Sequence, residues 1–535
     1  IAASVTRTAS DTNKYFQTVL YEGNGAGQRV GAFQPFDNSF TIAKSSLFNV
    51  LNDEYFSRTF ETPTDQDVWT LSWWMKTGNL VAGRGIFASA ALNSSFCYIN
   101  NVKIYIVFSG TTAFSFSLDD SSQWYNIILT CNGGTVTCYV NGVSRGTASA
   151  SMNDFNSAVA HTIGSYNGNE SHFDGYMADF VFVDGAVHST SVFGQTDTST
   201  NRWIPKDPTI TLDEASDFGN NGFYLNFADS SALGDDISGN NHDFTNNNTV
   251  TQSTDSPTTN FNTYDPNESS GTFKTGNTIS LAGNNSINIG TLPLRSGKWV
   301  FEATGTTASL SAHFVGVAGP LMPTGNGGTQ GGFSDGYMLQ NDANLFIDGS
   351  DSGVNASATW TTDDVIRLEI DRDNHTLQWF KNGSSILSIT NVYDKNWRTC
   401  TSYATFMATT MNSGATAFAG TPTTDFIAIS QDNMAGTDQF ISAFSWIKNR
   451  DATDNHMLFD RVRGVYKDWH SNLGDIQVTN VNTVQSFLEA GVQVGDDVQV
   501  NTANESYVLW NWMMEATGSG ASNEDGSINT TSTLV

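Results

Sequence analysis

Short segments in which apolar and polar residues alternate dominate this chain and limit what it can fold into. Trp69, Leu71, Trp73 and Met75 fall on one side of such a segment, with Thr70 among the residues between them. Successive side chains of a β-strand point to opposite faces, so this spacing predicts a strand with one face in a core. Short alternating segments joined by tight turns predict antiparallel sheets that pack as sandwiches.

The same pattern recurs along most of the chain. An Asn-Gly-Gly turn stands at 132–134 and an Asn-Gly turn at 141–142, where hairpins are expected. Further alternating sets are Tyr125, Ile127 and Leu129; Val136, Cys138 and Val140; Phe223, Leu225 and Phe227; Trp299 and Phe301; and Ile366, Leu368 and Ile370.

Length and composition bound the number of cores and the classes of partner. A chain of 535 residues is too long for one core, at roughly 150 residues per domain. The content of 39% hydrophobic and 12% aromatic residues supplies apolar surface for several cores. A net charge of -29 repels nucleic acid and anionic membranes. We therefore expect no nucleic-acid partner.

The cysteines and the hydropathy pattern argue against a disulfide-rich protein and against a membrane-spanning one. Cys97, Cys131, Cys138 and Cys400 do not form a disulfide framework, and we interpret them as small buried hydrophobes. No apolar run approaches the 18 residues that a membrane span needs, so we expect no membrane insertion.

Two regions resemble known families. The motifs WYNI (124–127), CYVNG (138–142), HTIG (161–164) and FDGYMADF (173–180) resemble, in order, the laminin-G-like, concanavalin-type jelly roll. The motifs GKWVFE (297–302), VGV (315–317), DVI (364–366) and LQWFKNG (377–383) resemble a SPRY domain, which is a bent β-sandwich used for binding.

The remaining regions resemble parts of bacteriophage proteins. The passage TDSPT (254–258) is similar to a connector in marine phage virion proteins, where it joins a laminin-G-like domain to a SPRY-like one. The motifs FSWIKNR (444–450), HMLFDRVRG (456–464) and YVLWNW (507–512) resemble a module that recurs in phage tail and fibre proteins. Residues 523–528 resemble the middle of that module, so we expect the natural protein to continue past Val535.

These observations predict a mostly β protein of tandem antiparallel β-sandwiches (concanavalin-like jelly rolls) with a small mixed C-terminal module. The expected parts are an irregular N-terminal segment at 1–45, a laminin-G/concanavalin-like sandwich at 46–205, a structured Asn/Asp-rich connector at 206–265, a SPRY-like sandwich at 266–430 and a phage-associated C-terminal module at 431–535.

One loop offers ligands for a metal ion. Asp235, Asp236, Asn240 and Asp243 place oxygen atoms on a glycine-containing loop, a donor set that suits calcium. The spacing is not that of an EF-hand, and Asn/Asp-rich turns also cap their own backbone. Calcium is the one cofactor for which the sequence offers a site.

Two motifs raise the alternative of an enzyme. Residues 142–146 match the G-x-S-x-G pattern, but they follow a hairpin strand rather than opening a helix after a parallel strand. Glu369, Asp371 and Asp373 alternate as the carboxylates of concanavalin-fold glucanases do. They lie in a hairpin that matches the SPRY pattern, so we interpret them as charges on a solvent-facing strand. We expect no catalytic residues.

Three aromatic residues are candidates for sugar contacts. Carbohydrate binding needs exposed aromatic side chains on loops or on a concave sheet, and the candidates are Trp360, Tyr337 and Tyr166. Trp360 stands beside Asp363 and Asp364, a place where the SPRY pattern puts a core residue. The sequence does not select among them.

The resemblances imply a structural protein of the bacteriophage virion, assembled in the host cytoplasm. We expect a tail fibre, spike or other receptor-facing component, with host surface glycan and other virion proteins as partners and a homo-oligomer such as a trimer. The alternatives are a capsid decoration or fibre protein, a secreted bacterial adhesin, or, in a different class, a concanavalin-fold polysaccharide-degrading enzyme.

Overall fold

The computed structural model describes most of the chain. The described residues are 2–6, 40–78, 83–89, 95–100, 103–118, 120–151, 154–166, 171–197, 203–266, 269, 271–282, 286–294, 296–306, 312–319, 322, 334–393, 397–403, 407–434, 441–460, 463–474, 476–487, 492–503, 505–514, 522–523 and 530–531. The chain divides into two compact units, one formed by 36–197 and 203–433 and the other by 1–35, 198–202 and 434–535.

The first half of the chain is built from short strands. They are β1 (Ala2–Thr6), β2 (Ser45–Phe48), β3 (Tyr55–Thr59), β4 (Val68–Thr77), β5 (Arg84–Ser89), β6 (Phe96–Asn100), β7 (Lys103–Phe108), β8 (Thr111–Ser117), β9 (Tyr125–Asn132), β10 (Thr135–Val140), β11 (Val143–Ser149), β12 (Ala160–Ile163), β13 (Gly175–Asp184), β14 (Gly194–Thr196), β15 (Trp203–Pro205), β16 (Phe223–Leu225), β17 (Thr245–Asn247) and β18 (Thr251–Ser253). Single turns of 3₁₀ helix lie at Val50–Asn52, Thr190–Val192 and Pro208–Ile210, and α1 spans Ala215–Phe218.

The second half continues in the same way. Its strands are β19 (Thr272–Lys274), β20 (Ile279–Ala282), β21 (Ser286–Ile289), β22 (Lys298–Gly305), β23 (His313–Ala318), β24 (Gly336–Gln340), β25 (Asn344–Ile347), β26 (Ser350–Asn355), β27 (Val365–Asp371), β28 (Thr376–Lys381), β29 (Ser384–Ile389), β30 (Arg398–Tyr403), β31 (Met407–Asn412), β32 (Ile427–Ala428), β33 (Ile441–Asn449), β34 (Met457–Asp460), β35 (Lys467–His470), β36 (Val478–Thr479), β37 (Val484–Phe487), β38 (Val492–Val494), β39 (Ser506–Met514), β40 (Ser522–Asn523) and β41 (Thr530–Thr531). Helix α2 spans Gln431–Met434.

The first sandwich confirms the period-two interpretation. One sheet has the order β11-β10-β9-β4-β13-β2-β18, and the facing sheet has the order β17-β3-β12-β5-β6-β7-β8. Trp69, Leu71, Trp73 and Met75 have no exposed surface and lie in the core between the sheets. All four cysteines are buried and unpaired, as expected.

The outer face of β4 is also buried, which alternation alone does not predict. Thr70 donates to the carbonyl of Ala186 at 3.0 Å, so the chain that follows β13 crosses this face. Trp74 packs with Trp124 and Tyr176 in a second apolar cluster. A strand covered on both sides becomes part of the interior even where its side chains are polar.

The segment predicted to be a connector contributes strands to both sheets of the first sandwich. Its strands β16, β17 and β18 pair with β13, β3 and β2 respectively. Phe223 and Leu225 are fully buried, as their alternation predicts. The connector is therefore a structured element of the first sandwich and not a tether.

A buried ion pair joins the connector to β4. The ammonium of Lys76, which is 1% exposed, donates to Asp255 Oδ2 at 2.9 Å, Asn260 Oδ1 at 2.8 Å and the Phe261 carbonyl at 2.9 Å. Trp124 Nε1 donates to the other Asp255 oxygen at 3.0 Å. Burial lowers the pKa of Lys76, and the charge of Asp255 opposes that shift. The pair is stable only because each charge has several partners.

The second sandwich has the same architecture. One sheet has the order β19-β20-β31-β22-β27-β28-β29, and the other has the order β21-β30-β23-β24-β25-β26. Trp379 of β28 donates from Nε1 to the carbonyl of Val315 in β23 at 2.9 Å, which links the two sheets across the core. Trp299 and Phe301 are buried on the core side, as predicted.

The turn between β19 and β20 packs against the first sandwich. The N–H of Gly276 donates to Asp174 Oδ1 at 3.0 Å. Gly276 has a φ of 61°, and a Cβ there would lie 2.2 Å from the ring of Tyr176. Glycine is required at this close approach. Burial raises the pKa of Asp174 to about 6, although the Gly276 hydrogen bond and the charges of Lys274 and Arg84 lower it.

In the second unit, the sheet has the order β1-β39-β33-β34-β35-β36. Its core contains Ile447, Met457, Phe459 and Val484. The N-terminal segment expected to be irregular supplies β1, which pairs with β39, and its residues 7–39 lie outside the described residues. Over the whole described part of the chain, no helix is long and apolar enough to cross a membrane.

The raised pKa of Asp174 predicts how pH affects stability. The folded chain holds a proton that the unfolded chain releases between pH 3.8 and about 6. The stability from this group is therefore full below pH 3.8 and falls by about 3 kcal/mol as the pH rises from 3.8 to about 6. Asp174→Asn should match the wild type near pH 4 and be the more stable protein near pH 7, as measured by chemical denaturation.

The matched control is Asp213→Asn, because Asp213 is exposed. Its difference from the wild type should be small and the same at both pH values. An Asp174→Asn difference that does not change with pH would contradict the assignment.

Candidate functional site

The loop predicted to bind calcium is held together by its own hydrogen bonds. Asp236 is 9% exposed, and its carboxylate accepts from the N–H groups of Tyr224, Ser238 and His242 at 2.8–2.9 Å. The Ser238 hydroxyl adds a fourth bond at 2.8 Å. Both oxygens of Asp236 are thus occupied by donors from the protein.

The other predicted ligands serve the same loop or face solvent. Asp243 Oδ1 accepts from the N–H of Asp236 at 2.9 Å. Asn240 donates to the carbonyls of Gly219 and Gly222, and Asp235 is exposed. Within the described residues, no group of three or more His, Cys, Asp or Glu side chains is placed to hold a metal ion. The geometry favours a self-capped loop, and calcium binding here stays a prediction.

This loop can be tested by removing calcium and by removing Asp236. Because four donors already satisfy the carboxylate, chelation should leave the melting temperature unchanged. Asp236→Ala should lower the stability by about 1–3 kcal/mol by leaving those donors unpaired. Asp235→Ala, at the exposed neighbour, is the control. A melting temperature that rises with added calcium, and no longer does so in Asp236→Ala, would show that the loop is a metal site.

The carboxylates compared with a glucanase site have structural partners. Asp371 accepts from the N–H groups of Asp373 and Asn374 and so caps the β27–β28 turn. Asp373 accepts from the N–H of Gly297 at 2.8 Å. Glu369 is 1% exposed and lies 3.3 Å from the Arg367 guanidinium.

The interpretation of this strand as solvent-facing was wrong. One loop, 415–426, covers the outer face of β22 and β27 before β32 adds to β22 in parallel. Three of its backbone groups bond to charged side chains below: Ala419 N–H to Glu302 at 3.0 Å, Thr421 carbonyl to Arg367 at 2.9 Å and Thr423 N–H to Glu369 at 2.8 Å. The charged side chains are buried because this loop covers them, and their hydrogen bonds hold the loop in place.

The G-x-S-x-G motif lies on an edge strand. Ser144 is exposed on β11, after a hairpin turn in which Asn141 has a φ of 48°. Its hydroxyl accepts from the N–H of Gly146 at 3.2 Å. No helix follows within 143–151, so the motif lacks the strand-to-helix turn that exposes a catalytic serine.

Two of the three aromatic candidates lie in the interior. Trp360 is 2% exposed and donates from Nε1 to His313 Nδ1 at 3.1 Å, so it is a core residue as the SPRY pattern predicts. Tyr337 is 4% exposed and packs edge-on against Trp397. Tyr166 is half-buried and reaches the surface.

Tyr166 belongs to a cluster of rings on the outside of the first sandwich, which we call the outer aromatic face: Phe96, Tyr98, Tyr105 and Tyr166. Tyr98 and Tyr105 are register partners on β6 and β7, and their rings stack at 4.9 Å. Phe96 lies 5.3 Å from Tyr98 and 4.6 Å, edge-on, from Tyr166. All four are half-buried, so one side of the cluster is open to solvent.

The backbone positions these rings. Cys97 and Ile99 alternate with Phe96 and Tyr98 and are fully buried, which forces the aromatic side chains outward. A Cβ on Gly85 would lie 2.2 Å from the backbone nitrogen of Tyr166. Glycine at this position lets the loop that carries Tyr166 approach β5.

Polar groups surround the rings. Asn100 and Lys103 are register partners at the end of the β6–β7 hairpin, and Ser115 is the register partner of Tyr105 on β8. Burial, together with Tyr105 and Tyr166, raises the pKa of Tyr98. Its hydroxyl therefore stays protonated at neutral pH and can donate a hydrogen bond.

Sequence reasoning named Tyr166 as one of three aromatic candidates without selecting it, and it did not name the other three rings. Residues 96–99 and 104–108 are apolar on both faces of their strands, so alternation does not tell which face is in the core. The usable signal is the aromatic pair Phe96 and Tyr98, followed by Tyr105 on the next segment.

The site thus defines a class of protein: a β-sandwich with a half-buried aromatic cluster on the outside of one sheet, edged by Asn100, Lys103 and Ser115. Residues 52–193 match the family model described as the Concanavalin A-like lectin/glucanases superfamily, and residues 408–534 match a domain of unknown function, DUF7483. The concanavalin-like domain expected from the sequence is confirmed over 52–193. No curated protein sequence matches the chain.

Solved structures that match part of the chain include SPRY domains. The SPRY domain of human HERC1 has 17% identity and a TM-score of 0.25, covering 29% of this chain and 99% of that one. A human SPRY domain has 14% identity and a TM-score of 0.22, covering 26% and 94%. A Bacteroides ovatus protein, provisionally described as carbohydrate-binding, has 15% identity and a TM-score of 0.29, covering 40% and 60%.

Proposed function

We propose that this chain is a non-enzymatic carbohydrate-binding structural protein that holds a glycan on its outer aromatic face. The observation that carries the proposal is the stacked pair Tyr98–Tyr105, at 4.9 Å, with Phe96 and Tyr166 beside it on a solvent-facing sheet. The match of residues 52–193 to a lectin/glucanase superfamily supports a saccharide as the ligand class.

The chemistry of the face fits a sugar ring. One face of a pyranose carries C–H groups, which pack against aromatic rings, while its hydroxyls need hydrogen-bonding partners at the edge. Tyr98, Asn100 and Ser115 offer such partners around the rings. The net charge of -29 disfavours anionic glycans, so neutral glycans are the expected ligands.

The virion role also belongs to the proposal. The phage-like connector and C-terminal motifs favour a tail fibre, spike or other receptor-facing component, located in the virion and assembled with other virion proteins as a homo-oligomer such as a trimer. Copy number would multiply weak contacts with host surface glycan. A capsid decoration protein is the alternative within this class, and the position of the chain on the particle would separate the two.

Tyr98→Ala should weaken binding of neutral glycans about tenfold, because it removes one half of the stacked pair. Tyr98→Phe should retain most of the affinity, since the ring remains. Binding can be measured by affinity electrophoresis in gels that contain β-glucan, mannan or dextran. Tyr393→Ala is the matched control, because Tyr393 is a 52% exposed tyrosine in the second sandwich.

Two results would contradict the proposal. One is that the wild type binds none of these glycans, or that Tyr98→Ala binds them as tightly as the wild type does. The other is turnover of a glycan that is lost in Glu369→Gln, which would assign the chain to the polysaccharide-degrading class. We expect no turnover, because Glu369 is 1% exposed and already bonded to Thr423 and Arg367.

A further inference from the structure

The sheet of the C-terminal unit has aromatic residues on the face opposite its core. Trp446 of β33 is the register partner of Trp510 on β39 and of Leu458 on β34, and Leu458 is the partner of Trp469 on β35. We call this row of Trp510, Trp446, Leu458 and Trp469 the C-terminal strip. Three steps between strands of about 4.8 Å make it about 14 Å long.

A second row of rings widens the strip. Trp512 and Phe444 are the neighbouring register pair on β39 and β33, with ring centroids 5.2 Å apart. The Trp446 and Trp510 rings are also 5.2 Å apart. Trp512 is 49% exposed and Trp469 is 43% exposed. Trp446 packs with Trp510 and Phe444 with Trp512, while Leu458, which is 7% exposed, lies between Trp446 and Trp469. Partly exposed rings grouped in this way are uncommon on a protein that has no ligand for them.

Charged and polar groups lie within this surface. Asp460 is the register partner of Phe444 and forms an ion pair with Arg463. The Arg463 guanidinium lies 5.2 Å from the ring of Trp469. His456 accepts from Trp446 Nε1 at 3.0 Å. A protein partner covering this face would have to desolvate the Asp460–Arg463 pair, whereas sugar hydroxyls can hydrogen-bond to it.

We propose that the C-terminal strip is a second carbohydrate-binding surface, for a neutral saccharide chain a few sugar rings long. The strip crosses four strands over about 14 Å, which suits an extended polymer better than a single sugar. The chain's charge of -29 disfavours an anionic polymer. This inference extends the proposed function but rests on different residues, in a different unit of the chain.

A full-length double variant tests the strip. Trp469→Ala with Trp512→Ala removes the two most exposed rings, and both are exposed enough to leave the core intact. In affinity gels containing β-glucan, mannan or dextran, we expect the variant to bind at least one of these polymers about tenfold more weakly than the wild type. Trp469→Phe with Trp512→Phe should restore most of the binding.

Ile476→Ala is the control for loss of exposed apolar surface, because Ile476 is 85% exposed in the same unit and off the strip. It should bind as the wild type does. Circular dichroism and melting temperature of each variant separate loss of binding from loss of folding.

The outcomes separate this inference from the proposed function. Binding lost in Tyr98→Ala and unchanged in the tryptophan variant would refute the strip alone. Binding lost in the tryptophan variant and unchanged in Tyr98→Ala would support the strip and refute the outer aromatic face. A tryptophan variant that changes oligomeric mass in light scattering but not glycan binding would assign the strip to a second copy of the chain, against our inference.

Discussion

Two buried charges, Lys76 of β4 and Asp255 of the connector, constrain the arrangement of the first unit. Removing these charges from water is costly, and their attraction compensates only when every remaining donor and acceptor has a partner. Asn260, the Phe261 carbonyl and Trp124 supply those partners. These contacts hold the connector against β4, and the chain continues from there into the second sandwich.

These contacts make the first sandwich a rigid support for the residues on its exposed faces. Connector strands complete the sheets of the first sandwich, and the Gly276 turn of the second sandwich bonds to Asp174 of the first. Rigid elements hold binding residues at lower entropic cost than loops do. The outer aromatic face lies on such elements, since three of its four rings stand on or at the start of paired strands. Glycan binding on this face would then require little reordering of the protein.

Much of the fold could be predicted from the sequence, and the candidate site could not. Alternation placed Trp69 and Ile366 in cores, and turn residues located the hairpins, because both signals act between near neighbours in the chain. The burial of Glu369 depends on a loop more than forty residues away, and local alternation carries no information about such a cover. The outer aromatic face was missed for a related reason, because Phe96 and Tyr98 alternate with residues that are equally apolar.

Hydrogen exchange of the connector tests the central claim, that the connector is part of the core and fixes the two sandwiches to each other. Its amides at Asn260, Asn262 and Tyr264 donate to backbone carbonyls of the connector or of the second sandwich. The account predicts that these amides exchange as slowly as those of β4 and β22, and open together with them. Rapid exchange of the connector, while both sandwiches stay protected, would mean that 254–264 is a flexible tether and would contradict the account.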